Sequence, residues 1–406
     1  MVSIYKCFKW VNLFHMKKVS KINKFIVTNF AYGTGPYLRT TELALAINEE
    51  LELQRQNRFG IIVPWVYGEK QKRIMLEEFS AVNQKYPSEI LLCARLGGIL
   101  KTIFYGDNTY QQALEIWADK FAEVNSAATN LLKAEIEVED LDGNKKVVSG
   151  GDIVMELSRS GRVKYGLPVC FGVSFGHISE ILKNTLGVSQ KEIAVDRELV
   201  KRVIPLAEEI ESQYRFIGLA HPGTFSYLAN RWPYPKEVLI PPTIYPPVPN
   251  SNDIVAGIYV TITGIPGLER LYKEAEQLGL KIYSNDPKTV PGSEKLLPHV
   301  VSNPKIIFQF ARSGWGSVWL SQLSGTPFVA PDFDPKDDPE IYFNNLCVEK
   351  LGLGIVYRGQ GLAELIDQAE GLKPALKTFN QKLLDQFGTL DGNRYAAKLI
   401  VEKLLT

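Results

Sequence analysis

Residues 308–345 read FQFARSGWGSVWLSQLSGTPFVAPDFDPKDDPEIYFNN. An apolar run ends at Ala311; Arg312, Ser313, Gly314, Trp315, Gly316 and Ser317 follow, and a helical pattern begins. A strand feeding a Gly/Ser turn and then a helix gathers free backbone N–H groups and the positive end of a helix dipole at one point. That arrangement suits phosphate. Gly314 and Gly316 let backbone approach a ligand closely, Arg312 can give two parallel hydrogen bonds to phosphate oxygens, and Ser313 and Ser317 add hydroxyl donors. A pair of glycines alone is more often the mark of an ordinary strand-to-helix turn. The rest of the chain has to decide.

Around this stretch the alternation is regular. DIVAGIYVTITGIPG reads as a strand ending at Gly264, LERLYKEAEQLG as a helix closed by Gly279, and LKIYSND, KIIFQFA and TPFVAP as strands. EIYFNNLCVEKLG reads as a helix. Upstream, KFIVTNFAYGTGPYLRTTELALAINEELELQRQ is a strand, a Gly-containing loop and a helix; RFGIIVPWVYG, SEILLCARL, GLPVCFGVSF and YRFIGLAHPG are further buried strands. Such alternation indicates parallel sheets with covering helices. Between the halves, WPYPKEVLIPPTIYPPVPN carries prolines 233, 235, 241, 242, 246, 247 and 249, which argue against helix and against a central strand.

The expected organisation is α/β: two Rossmann-like domains facing a central cleft. Residues 24–232 form the first domain, 233–250 an extended Pro-rich linker, 251–385 the second domain and 386–406 a terminal amphipathic helix with Asp391 near its start. In open parallel sheets ligands bind beyond the carboxyl ends of the strands. Gly264, Asn285, Arg312 and Asp332 are therefore expected to converge on the cleft.

Composition narrows the function. The chain has 406 residues, 45% apolar and 22% charged, with net charge +1. It is long enough for roughly two folded domains. No basic stripe marks a nucleic-acid binder. Cysteines 7, 93, 170 and 347 form no C-x-x-C pair and His15, His177, His221 and His299 have no metal-ligand spacing, so neither a disulfide framework nor a metal site is expected. A reducing cytoplasm fits the cysteines best. Residues 1–23 read as an N-terminal extension, expected to be disordered, with Met1 an upstream start codon ahead of a true start at Met16; peripheral membrane contact through its aromatic and basic residues is the alternative. No apolar run there approaches the roughly 20 residues of a membrane span.

The segment LLPHVVSNPKIIFQFARSGWGSVWLSQLSGTPFVAPDFDPKDDPEIYFNNLCVEKLGLGIVY, residues 296–357, resembles the nucleotide-sugar-binding signature of GT-B-fold glycosyltransferases. The similarity is to UDP-glycosyltransferases and to the N-acetylglucosaminyltransferase of peptidoglycan synthesis. NFAYGTGPYLRTTELALAINEEL and LDGNRYAAKLIVEKL support it more weakly. The resemblance implies a nucleotide-sugar donor, a UDP-sugar first, on the second domain and an acceptor, a small molecule or a lipid, on the first. No cofactor beyond the donor is implied. Arg312, Ser313, Gly314, Trp315, Gly316 and Ser317 fall on the diphosphate turn. Gly264 falls on the loop where donor and acceptor meet, His299 beside the segment that reads the nucleobase, and Gly33 and Gly35 on the acceptor loop. Where family members place two sugar-holding polar residues, this chain has Glu340 and Ile341. Ile341 cannot hold a hydroxyl, and Asp337 or Asp338 is expected to substitute.

An inverting transfer needs a base for the acceptor hydroxyl. Tyr37 stands where many members carry a histidine, but a phenol near pKa 10 is poorly matched to neutral pH. Asp107, on a loop after a strand, is the first candidate and His177 the second. Either is more often structural, Asp107 as a turn or N-cap residue and His177 as a hydrogen-bonded core histidine. Two other readings stay open: a nucleotide-sugar epimerase or hydrolase on the same fold, and a binding protein that has lost the base.

Overall fold

A computed structural model describes residues 22–104, 108–228, 235–261 and 268–405. Asp107 and Gly264 lie outside the described residues, as does the N-terminal extension before residue 22.

Among the described residues the strands form two sheets. The first has nine, in the order Lys145–Ser149, Glu135–Asp140, Ile90–Cys93, Gly60–Pro64, Phe25–Phe30, Ile153–Arg159, Cys170–Ser174, Phe216–Ala220 and Glu237–Ile240. All are parallel except Glu135–Asp140, which runs antiparallel to both neighbours. The second sheet is parallel throughout, in the order Glu294–Lys295, Lys281–Ser284, Gly257–Val260, Ile306–Phe310, Phe328–Pro331 and Gly354–Tyr357.

The apolar runs read from the sequence are these strands. Phe25–Phe30, Gly60–Pro64, Cys170–Ser174, Phe216–Ala220 and Phe328–Pro331 are buried at every position, as expected for parallel strands covered by helices on both faces. Ile153–Arg159 was hidden in the sequence although it pairs directly with the central Phe25–Phe30. It carries Glu156 and Arg159 into the interior, and these charges break the apolar run. The hairpin from 135 to 149 turns through Asp142 and Gly143; Asp140 Oδ1 accepts the N–H groups of Asp142 at 3.0 Å and Asn144 at 2.8 Å.

The Pro-rich stretch needs one correction. Residues 237–240, inside the expected linker, are the last strand of the first sheet. The prolines flank it, and an edge position tolerates the missing donors. After 240 the chain crosses to the second sheet.

The terminal helix Gly392–Leu405 returns to pack on the first long helix, Thr34–Leu53. Asp391 Oδ1 accepts from Arg394 N at 2.9 Å at its start. At Gly392 a Cβ would sit 2.2 Å from the Pro241 carbonyl, so the crossing needs glycine there. The carboxyl-end loops of the two sheets meet, and the apolar core of the first sheet continues into the second through Trp315, Val318, Trp319, Phe343 and Cys347. No helix among the described residues is long and apolar enough to cross a membrane.

Candidate functional site

At the carboxyl end of Ile306–Phe310 the chain turns through Arg312 and Ser313 into the helix Trp315–Ser324. Gly314 is the N-cap and offers no side chain to the first amides of the helix. Its φ of −67° is open to any residue, and a Cβ added at Gly314 or Gly316 meets nothing within 4 Å. Neither backbone conformation nor packing therefore calls for these glycines. What they leave is open space over the amides of Trp315 and Gly316, which is what close approach of an anion requires.

The side chains around the turn divide their work. Arg312 is exposed and forms an ion pair with Asp337. Ser317 is half-buried beside the open amides. Ser313, expected as a phosphate donor, is fully buried and its hydroxyl points to the Ile341 carbonyl at 3.4 Å. It braces the turn from behind. Trp315 is buried as well, its indole N–H shared between Thr224 Oγ1 at 2.8 Å and Asn344 Oδ1 at 2.9 Å.

Opposite the turn lies the segment 332–344. Asp338 caps the helix Pro339–Lys350, accepting from Glu340 N at 2.9 Å, so its carboxylate has a structural task. Ile341 is buried in that helix and gives only its carbonyl to the site. Burial pushes the Glu340 carboxyl up to about 7; Asp338 adds to the rise, while Arg312, Asn344 and Arg162 oppose it. Asp337 is also raised by burial, against the pull of Arg312.

Arg162 belongs to the first sheet, on the loop after Ile153–Arg159. Its guanidinium lies 5.0 Å from the centroid of the Trp117 ring, and Trp117 Nε1 donates to the Arg162 carbonyl at 2.9 Å. Beside it is a narrow apolar slot lined by Tyr32, Phe104, Ala113, Leu114 and Trp117. Tyr110, at the start of the same helix, feels both Asp338 and Glu340. The slot and the carboxylates thus face one site from two sheets.

The remaining candidates fall elsewhere. Tyr37 is buried against Phe30 and Tyr67, with ring centroids 6.0 and 5.8 Å away, and burial pushes its phenol up to about 12. That is opposite to what a base needs. His177 folds back over the sheet: Nε2 bonds Glu237 Oε1 at 2.8 Å and Nδ1 lies 3.6 Å from Glu211 Oε2. Burial disfavours its charge, but these carboxylates and Glu180 prevail and raise its pKa. Its ring is held between glutamates and is not a free base. His221 is half-buried at the seam, Nδ1 on Ser226 Oγ at 2.8 Å. His299 is half-buried on the short 3-10 turn Pro298–Ser302, which packs on the helix Trp315–Ser324. Gly33 adopts φ +114°, a glycine conformation, and donates its N–H to the Tyr67 hydroxyl at 2.6 Å. A side chain at Gly35 would meet open space. Among the described residues no group of His, Cys, Asp and Glu has the arrangement of a metal site.

Sequence reasoning missed Thr224, Arg162, Trp117 and the role of Asn344. Arg162 had only an indirect signal: Arg159-Ser160-Gly161 repeats the Arg-Ser-Gly of the turn at 312, and Arg162 follows it where Trp315 stands in that turn. Thr224 and Asn344 had none, because they are 120 residues apart and meet only through the seam.

No protein-family model matches the chain, and no curated protein matches it. Solved structures do. CalG4, the calicheamicin glycosyltransferase, superposes with a TM-score of 0.57 at 13% identity, over 94% of this chain and 98% of that one. Phytolacca americana UGT2, complexed with UDP-2fluoro-glucose and pterostilbene, gives 0.56 at 11% identity over 94% and 99%. A Polygonum tinctorium UDP-glucosyltransferase capable of glucosylating indoxyl gives 0.55 at 12% identity over 94% and 98%. At these identities the likeness is one of fold. Two Rossmann-like α/β domains face a central cleft, as in GT-B glycosyltransferases, over nearly the whole chain.

Proposed function

We propose that this chain is a glycosyltransferase that takes a sugar from a nucleoside diphosphate donor, a UDP-sugar first, and passes it to a hydroxyl of a small apolar acceptor, inverting the anomeric centre without a metal. One observation carries the reading: an uncapped, sterically open helix start beside Arg312 faces half-buried carboxylates, on which Arg162 of the other sheet also acts, next to an aromatic slot. Fold alone does not assign a function.

In this reading the diphosphate lies on the amides of Trp315 and Gly316, with Ser317 and Arg312 supplying side-chain donors. Arg312 exchanges Asp337 for phosphate oxygens. Glu340 and Asp337 accept hydrogen bonds from sugar hydroxyls. As the bond to the anomeric carbon breaks, the leaving diphosphate gains charge where these donors already stand. The slot at Tyr32, Phe104, Leu114 and Trp117 supplies one wall for a flat apolar acceptor, in keeping with the pterostilbene and indoxyl named for the solved structures. Asp107 is our candidate for the base.

A second reading is favoured by Tyr37 and His177, both committed to packing or ion pairs: a protein that holds a nucleotide sugar without transferring it. Calorimetric titration of UDP, dTDP, GDP and ADP, followed by a mass-spectrometric transfer assay with the matching glucose donor and a panel of flat phenols, separates the cases. Binding with turnover supports the transferase and binding without turnover the second reading. A folded protein that binds none of the four overturns both.

A further inference from the structure

We infer that Asn344 is the positioning residue of this site: one buried side-chain amide sets the turn backbone and the Glu340 carboxylate together, and ties both to Thr224 of the other sheet. The inference rests on the glycosyltransferase reading.

A side-chain amide offers two N–H donors and one oxygen with two acceptor positions. At Asn344 all are used. Nδ2 donates to the Ser313 carbonyl at 2.8 Å and to Glu340 Oε1 at 3.2 Å. Oδ1 accepts from Thr224 Oγ1 at 2.6 Å and Trp315 Nε1 at 2.9 Å. Asn344, Ser313 and Thr224 are fully buried and Trp315 nearly so, which leaves no water to replace a lost partner. The two acceptors on one side and two donors on the other also fix which way the amide points. A carboxylate of the same shape cannot donate to Ser313 or Glu340, and an apolar side chain satisfies none of the four.

Two functional groups hang from this amide. The Ser313 carbonyl precedes the open amides of Trp315 and Gly316, so holding it aims them. The bond to Glu340 favours its ionised form, the form that accepts from sugar hydroxyls without competing as a donor. The charged groups facing Glu340 are Asp338 ahead of its own helix, Arg312 on the turn and Arg162 from the first sheet. Removing the amide donor leaves Asp338 less opposed and moves Glu340's titration upward. Thr224 couples this setting to the first sheet, so the aim of the phosphate turn depends on the seam being closed.

The test is calorimetric titration of UDP and UDP-glucose into the full chain between pH 6 and 9, with Asn344→Asp and Thr224→Val. In the unaltered protein the preference for UDP-glucose over UDP is expected to fall as pH drops through about 7. Asn344→Asp is expected to weaken UDP by tenfold or more and to move that fall to higher pH. Thr224→Val changes no charge and is expected to weaken UDP about threefold, which separates lost geometry from added repulsion and stands in should Asn344→Asp fail to fold. Unchanged UDP affinity and an unchanged pH midpoint in the folded variants overturn this inference and leave the transferase reading intact. Absence of UDP, dTDP, GDP and ADP binding to the unaltered protein overturns that reading and this one with it.

Discussion

Trp319, on the helix that follows the Arg312 turn, donates its indole N–H to the Pro222 carbonyl at 2.7 Å across the seam between the two sheets. Cys347 makes a neighbouring contact to the Gly223 carbonyl at 3.2 Å. Both side chains are buried, so the seam is packed like a core. Trp319→Phe keeps most of the ring and strands the carbonyl. It is expected to cost about 1–3 kcal/mol in urea unfolding. A loss below about 0.5 kcal/mol would show that the carbonyl finds another donor.

Arg312→Ala removes an exposed cation whose pair with Asp337 is of the surface kind, worth about 0–1 kcal/mol. Thermal unfolding is expected to change little. UDP affinity is expected to fall at least tenfold, about 1.4 kcal/mol. Equal affinity in the variant removes Arg312 from the site.

Ala113 lines the apolar slot on the face of the helix Tyr110–Lys133. Ala113→Leu fills that space from one side. The expected result is a rise of at least about tenfold in acceptor KM with UDP affinity unchanged, since a single extra methylene is already worth about 1–3 kcal/mol in an apolar pocket and leucine adds three carbons. An unchanged KM would move the acceptor elsewhere in the cleft.

Glu156 is fully buried in the strand that the sequence concealed, and burial pushes its carboxyl from 4.5 up to about 7, against the hydrogen bond from Asn29 Nδ2 at 2.7 Å. A raised folded-state pKa gives stability that is whole below 4.5 and is lost as pH rises through about 7. The loss is on the order of 3 kcal/mol at most. Glu156→Gln is therefore expected to match the unaltered protein at pH 4.5 and to exceed it at pH 8.5. Asn29 Oδ1, which has no partner among the described residues, can accept the new amide. Equal stabilities at pH 8.5 would count against a neutral carboxyl in the core.

His177 shows the same sign with the opposite charge. Burial works against its cation, and Glu237, Glu211 and Glu180 overcome it, so its pKa stands above the ordinary 6.5. Its contribution is whole below 6.5 and disappears as pH rises past the raised value. His177→Gln is expected to cost about 1–3 kcal/mol at pH 5.5 and less at pH 9, read by urea unfolding. A cost that does not vary with pH would mean that the neutral ring makes the same bonds.

Strand, turn and helix were legible because their signals are local. Continuous apolar runs announce strands buried on both faces, and a Gly/Ser turn ahead of a helical pattern announces a helix start. In the second sheet Gly257–Val260, Lys281–Ser284, Ile306–Phe310 and Phe328–Pro331 stand where they were read, the short edge strand Glu294–Lys295 went unread, and the Arg312 turn stands at the carboxyl end of its strand. Where a strand carries buried charge, as Glu156 and Arg159 do, the local signal fails, because only the partners make that burial affordable.

The residues alone determined an α/β chain of largely parallel sheets with a Gly/Ser turn at a strand end, since periodicity and glycine placement act within a few positions. Tertiary structure decided which way the candidates point. It buried Tyr37, clamped His177 between glutamates and turned the Ser313 hydroxyl away from the cleft. It also joined Thr224 to Asn344 across 120 residues. Side-chain direction at the end of a strand is set by what packs above it, and that neighbour comes from another part of the chain.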